Sequence, residues 1–296
     1  MTTSAKASSK LGYLWRVCGT GLGFVGFGVG GLAIGTVLAP MVRVLHKDKH
    51  AQEIHAQKII QKGFMGFMKS LKGLGVMTYD VQGLDKLQDS YGELVVANHP
   101  TLIDVVMLIA CMPRANCVVK QALYNNPFTH GPVKSAGYIL NGASSNGANG
   151  ATRTNDSTAD DFMHACIAKL TKPMGDKPAG SLVIFPEGTR TKKGQLLGDF
   201  ARGWANIALR ADVPIRPVVI TCTPSTLTKN EKWYHIPDRP FHLQLRVLDA
   251  VSLADVLGAD FDKSPKTARK LNAWLYDFFQ KELNCEPNAR NTANDY

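Results

Sequence analysis

Twenty-six consecutive residues without a charge, Val17 to Val42, limit what this chain can fold into. As a helix, the run rises about 39 Å at ~1.5 Å per residue, against a bilayer core of ~30 Å. It is rich in glycine rather than leucine. Small residues four apart (Gly19 with Gly23, Gly26 with Gly30, Gly31 with Gly35) allow another helix close approach. Two placements follow: a membrane-spanning helix, or a glycine-rich segment that is buried or re-entrant. A cleaved leader fits poorly, because the apolar run is too long and no cleavage box follows. The run also contains Gly21-Leu-Gly-Phe-Val-Gly26, a formal dinucleotide fingerprint. That fingerprint needs a preceding strand and a following helix, and here it sits inside an unbroken apolar stretch.

Beyond Val42 the chain turns basic, with Arg43, Lys47, Lys49, Lys58, Lys62, Lys69 and Lys72 against Asp48 and Glu53. Only Lys6, Lys10 and Arg16 precede the run, so the basic asymmetry puts the bulk of the protein on the cytoplasmic side. Ile54 to Leu74 sets Ile59, Ile60, Phe64, Phe67, Met68 and Leu71 among those lysines. It reads as an amphipathic helix that lies either on lipid headgroups or on the protein's own core.

From Val81 the pattern alternates between strand and helix. Strands are expected at Leu94–Ala97, Cys117–Val119, Gly137–Leu140, Ser181–Phe185, Ile215–Thr221 and Phe241–Val251. Helices are expected at Leu102–Met112, Asp160–Leu170 and Ala201–Leu209. A last helix opens on Ser264 as cap and Pro265 as its first residue. Gly142 to Thr158 reads as a loop. The fold class is therefore α/β: a mixed, partly parallel sheet flanked by helices, with an N-terminal membrane-spanning or membrane-embedded helix. Four regions follow: tail and membrane segment 1–45, basic amphipathic membrane-surface region 46–80, catalytic domain 81–284 and C-terminal tail 285–296.

Composition excludes several classes. A net charge of +10 demands an anionic partner. The lysines cluster beside an apolar span and match no nucleic-acid module, so anionic lipid is the partner and nucleic acid is not. Six cysteines without a CxxC pair indicate a reducing compartment and no cysteine-rich zinc site. His46, His50 and His55 lack a completing carboxylate, so no metal is expected. A GxSxG elbow and a P-loop are both absent.

Two constellations carry chemistry. In Asn98-His99-Pro-Thr-Leu-Ile-Asp104, His99 follows a buried strand, where active groups of open α/β sheets lie. A neutral imidazole suits removal of a hydroxyl proton near pH 7, and Asp104 can fix its tautomer. Thr101 with Asp104 also resembles a capping box, which alone accounts for the aspartate. In Phe185-Pro-Glu-Gly-Thr-Arg190, the loop with Gly188, Thr189 and Arg190 can hold a phosphate. Glu187 there either accepts from a glycerol hydroxyl or holds Arg190; a plain surface turn is the alternative.

Taken together, the two blocks resemble the glycerolipid (lysophosphatidic acid, or 1-acylglycerol-3-phosphate) acyltransferase superfamily, over about Val81 to Thr221. The resemblance implies an O-acyltransferase with His99 as base and Asp104 as its partner. Glu187, Gly188 and Arg190 then bind the acceptor, with Thr189 added as a donor by the loop reading above. It further matches Pro217 to a late-strand proline and Arg202-Gly203 to a basic residue–glycine pair. Acyl-CoA or acyl-carrier protein would be the donor, with membrane lipids as partners and no cofactor. The implied acceptor is 1-acylglycerol-3-phosphate, giving phosphatidic acid. One departure stands out: Gly137-Tyr-Ile-Leu-Asn-Gly-Ala143 lacks the family's phosphate-contacting arginine. Either Arg153, or a lysine such as Lys120 or Lys134, replaces it, or the acceptor is a different lipid or polyene-type alcohol. A silent lipid-binding protein of the same fold would have no need of the His99–Asp104 pair.

Overall fold

The computed structural model describes residues 10–141, 156–173 and 178–285. Its centre is a seven-stranded sheet in the order β1-β7-β6-β2-β5-β3-β4. The strands are β1 (Met77–Gln82), β2 (Leu94–Ala97), β3 (Ala115–Val119), β4 (Ile139–Leu140), β5 (Ser181–Ile184), β6 (Ile215–Thr223) and β7 (Phe241–Val247). Every neighbouring pair is parallel except β6 with β7. The mixed, partly parallel α/β sheet expected from the alternation is therefore present, and it is mostly parallel.

Helices explain the strand sequences. On one face lie α3 (Lys49–Gly73) and α5 (Asp104–Cys111); on the other lie α8 (Asp156–Thr171), α9 (Gly203–Ala211) and α11 (Pro265–Cys285). β2 is buried at all four positions, with Val95 and Ala97 in the first core and Leu94 and Val96 in the second. A strand covered on both faces must read as a continuous apolar run. β7 instead alternates buried and half-buried residues, and it ends at Val247; Val251 returns only as an isolated bridge to Ile215. In α11, Ser264 Oγ accepts from Thr267 N (3.3 Å) and Leu271, Leu275, Phe279 and Leu283 line the buried stripe. Short helices α4 (Leu84–Gln88), α6 (Gln121–Asn125), α7 (Pro127–Ser135) and α10 (Leu253–Leu257) fill connections that the sequence reading left open.

The N-terminal apolar run forms one rod: α1 (Lys10–Ala33), a π-helical turn (Ile34–Leu38) and α2 (Ala39–Leu45). Pro40 has no N–H for the next intrahelical bond, and Ala39 N reaches back five residues to Ile34 O. The wider turn accommodates the proline without breaking the rod. By length and composition the rod can cross a membrane. Its glycines, however, are used within the chain. A Cβ on Gly19 would meet Val76 at 2.8 Å, one on Gly23 would meet Leu71 at 2.8 Å, and one on Gly31 would overlap the Phe128 carbonyl. Gly26 and Gly30 meet nothing. Two of the three glycine pairs thus seat the rod on α3 and α7.

α3 settles the second ambiguity. Its apolar stripe (Ile60, Met68, Leu71) is buried in the first core, while Lys58, Lys62, Lys69 and Lys72 face outward. The placement on headgroups is therefore corrected: the stripe packs on the protein's own core. Most of the large apolar side chains left exposed belong to the rod, with Leu11, Leu14, Trp15, Leu22, Val25 and Val29 among its outward residues; Leu102, Leu123, Phe128 and Trp233 are exposed elsewhere.

Candidate active site

β2 runs out at Ala97, and the next residue stitches the loop to the sheet. Asn98 Nδ2 donates to Ile220 O (2.8 Å) and its Oδ1 accepts from Ile220 N (2.7 Å), extending the β2–β6 ladder by a side chain. His99 follows with both backbone groups bonded. Its N–H donates to Glu187 Oε1 (2.8 Å), and its carbonyl accepts from Thr191 N (2.8 Å) and Thr191 Oγ1 (3.2 Å). The imidazole lies against the Phe185 ring, with centroids 4.4 Å apart.

Asp104 opens α5 and is fully buried. Its Oδ2 sits 3.0 Å from His99 Nδ1 and accepts from Thr101 N at 2.8 Å. One oxygen thus serves both His99 and the Thr101 N–H, but the capping box is only half formed. The helix starts after Ile103 with no side-chain cap, and Thr101 Oγ1 returns no bond. With Nδ1–H donated to the carboxylate, the lone pair lies on Nε2, which has no partner among the described residues. Burial pushes the Asp104 carboxyl above its usual range, opposed by the hydrogen bond and charge of His99 and by the Thr101 N–H. Asp104 Oδ1 and Thr101 Oγ1 are buried without a hydrogen-bond partner.

Glu187 turns inward. Beside His99 N, it accepts from Thr191 Oγ1 and Gly198 N on Oε2, both at 2.8 Å. It pairs with no guanidinium, so the Glu187–Arg190 contact open from the sequence is not formed. Arg190 points the other way, donating Nη1 to the carbonyls of Leu227 (2.8 Å) and Thr228 (3.0 Å). Its Nε and Nη2 have no partner among the described residues. Gly188 is exposed with φ +62°, and Thr189 is half-buried beside it, at the rim.

The remaining candidates lie apart from this cluster. Pro217 is buried within β6 beside Val96, inside the sheet rather than at its mouth. Arg202 is exposed at the start of α9, and Lys120 is exposed at the end of β3. Lys134 is exposed on α7, and Arg153 lies outside the described residues. The sequence reading missed Thr191 and Gly198, which share the Glu187 carboxylate. It also missed the segment after β6. There Trp233 packs on Gly21 and Phe24 of α1, and Arg16 donates to the Asp238 carbonyl. The stretch that holds Arg190 is therefore also the one that grips the apolar rod.

Buried thiols offer no competing nucleophile. Burial pushes Cys111, Cys117 and Cys166 up to about 12, and Cys222, which feels the Asp104 charge, further still.

Residues 78–221 match the family model described as Acyltransferase. A putative 1-acyl-sn-glycerol-3-phosphate acyltransferase of Caenorhabditis elegans is 29% identical over 234 residues, 77% of this chain and 73% of that one. The chain belongs to the glycerolipid acyltransferase superfamily. It is an acyltransferase of that family. The human 1-acyl-sn-glycerol-3-phosphate acyltransferase beta is 28% identical over 194 residues, covering 66% of this chain and 63% of its own length. The crystal structure of the lysophosphatidic acid acyltransferase PlsC from Thermotoga maritima shares the fold. Its TM-score is 0.61 at 20% identity, over 92% of this chain and 98% of that one.

Proposed function

We propose that this acyltransferase moves a fatty acyl group from acyl-CoA or acyl-carrier protein onto the free hydroxyl of 1-acylglycerol-3-phosphate, giving phosphatidic acid. The observation that carries the reading is His99: Nδ1 is committed to Asp104 at 3.0 Å and Nε2 is open. Nε2 removes the acceptor hydroxyl proton as the oxygen attacks the thioester carbonyl, and Asp104 stabilises the imidazolium. When the tetrahedral intermediate collapses, the carbon–sulfur bond breaks and the imidazolium returns the proton to the leaving thiolate. The residues supply the whole proton path, and no cofactor enters it.

The free Nε and Nη2 of Arg190, at the rim with Gly188 and Thr189, are the donors for the acceptor phosphate. The relatives' names point to the same acceptor. The exposed apolar face of the rod rests in the membrane, with the catalytic domain on its cytoplasmic side. Because α3 and α7 flank the other face of the rod, we place it along the interface rather than across the bilayer.

A second reading keeps the chemistry and changes the acceptor to an unphosphorylated lipid alcohol. It is favoured by one observation: Arg190 spends Nη1 on two backbone carbonyls, and no arginine occupies the Gly137–Asn141 block. The purified protein on vesicles, offered labelled acyl-CoA or acyl-carrier protein with a panel of lysolipids and lipid alcohols, decides between them. Phosphatidic acid as main product is expected; preferential acylation of a phosphate-free lipid overturns the first reading.

A further inference from the structure

A cluster of basic side chains lies at the opposite end of the sheet from the His99 site. His99 stands beyond the C-terminal end of β2. Gln57 of α3 donates to Asn116 Oδ1 and to Ala136 O (both 3.1 Å), at the N-terminal end of β3. One turn before Gln57, a groove of about 360 Å³ opens between α2, α3 and α7. Three cations from three elements line it: Arg43, Lys49 and Lys134. The one carboxylate in its wall, Glu53, is already matched by Lys169 at 2.5 Å. None of the three cations is ion-paired among the described residues. Gly137, at φ +65°, leaves room for Glu53; a Cβ there would lie 2.6 Å from its carboxyl carbon.

The surroundings choose the kind of anion. The floor is apolar, formed by Ala39, Val42 and Ala56. Beside the groove, α2 exposes Met41, Val44 and Leu45, continuous with the outward face of the rod. We propose that this groove binds the headgroup phosphate of an anionic membrane glycerophospholipid, whose acyl chains lie along α2. A free phosphate would satisfy the cations and leave the apolar rim without a use. The proposal rests on the membrane placement above and not on the catalytic mechanism.

The test uses the full chain and flotation on two kinds of vesicle, pure phosphatidylcholine and phosphatidylcholine with phosphatidylglycerol. Arg43→Gln/Lys49→Gln/Lys134→Gln is compared with Lys58→Gln/Lys62→Gln/Lys69→Gln, which removes the same charge from the outer face of α3. A basic residue near an anionic surface contributes roughly a factor of five to binding. Diffuse attraction therefore costs both variants the same. The groove predicts at least about tenfold greater loss of the phosphatidylglycerol-dependent component in the first variant, with binding to pure phosphatidylcholine unchanged. Equal losses overturn the proposal. Release of the wild type by millimolar inorganic phosphate at constant ionic strength overturns the lipid assignment. Circular dichroism checks folding; should the first variant unfold, Lys134→Glu at its exposed α7 position makes the same comparison against Lys62→Glu. If the protein floats on neither vesicle, the membrane placement has failed instead.

Discussion

The loop after β2 and the loop after β5 leave adjacent parallel strands at the same end of the sheet, and they aim their charged groups in opposite directions. In the first, Asp104 holds His99 and leaves Nε2 open. In the second, Glu187 and Arg190 are three residues apart and never meet. The acid binds the backbone of His99, and the guanidinium binds the carbonyls beyond β6. Position after a buried strand therefore does not assign a role by itself. The first loop presents a reactive atom, whereas the acid of the second is spent on fixing where that atom stands.

The sharpest test of this division is His99→Ala, for which we expect a loss of about a hundred- to ten-thousand-fold in turnover with the fold intact. Near-wild-type transfer would remove His99 from the chemistry. Asp104→Asn should approach the same loss, because an amide cannot stabilise the imidazolium. Its stability should move the other way. Burial raises the Asp104 carboxyl, so the folded state holds that proton more tightly than the unfolded chain. The resulting penalty is absent below the ordinary carboxylate range near 3.8 and complete once pH exceeds the raised value. The variant should therefore gain thermal stability relative to wild type as pH rises through that window. Thermal melts at acid and neutral pH check this; a variant that is destabilised most at neutral pH would show a net favourable carboxylate.

Glu187→Gln comes next. The three donors around the carboxylate all need an acceptor, and an amide nitrogen on either side confronts at least one of them. An unsatisfied buried group costs about 1–3 kcal/mol. We expect melting temperature and turnover to fall together, with the acceptor KM nearly constant. A change confined to acceptor KM would return Glu187 to the substrate-binding role that the motif alone suggests.

That role illustrates what the sequence could and could not carry. β2, β5 and α11 were readable because burial on two faces, or on one stripe, writes its period into the residues. β1 carries the period of a half-buried strand, Met77, Tyr79 and Val81 alternating with Thr78, Asp80 and Gln82, and was missed all the same. α7 was not readable, since its Gly131 and Pro132 argue against a helix. His99 and Asp104 lie five residues apart and their pairing was foreseeable. Gly198 gives Glu187 only a backbone N–H, which leaves no mark on side-chain choice. The glycine pairs announced a close helix contact, but their partners, Val76 and Phe128, are distant in sequence and carry no matching signal.

The smallest effect, and the one that separates the two acceptors, is expected from Arg190→Lys. The guanidinium makes two kinds of interaction: Nη1 anchors the segment at Leu227 and Thr228, while Nε and Nη2 face outward unpaired. A lysine can keep one carbonyl bond but cannot anchor and present a fork together. Losing one charge-assisted bond of about 1.5–3 kcal/mol corresponds to roughly ten- to a hundredfold, and partial replacement by the ammonium should hold the defect near the lower figure. If the outward fork grips the acceptor phosphate, that defect appears as a raised KM for 1-acylglycerol-3-phosphate, with phosphate-free lipid alcohols nearly unaffected. If anchoring is its whole task, both classes of acceptor decline alike, because the rim moves for every substrate. The selective outcome is the expected one. A uniform decline would make Arg190 a scaffold residue like Glu187, and the unphosphorylated acceptor would become the better reading.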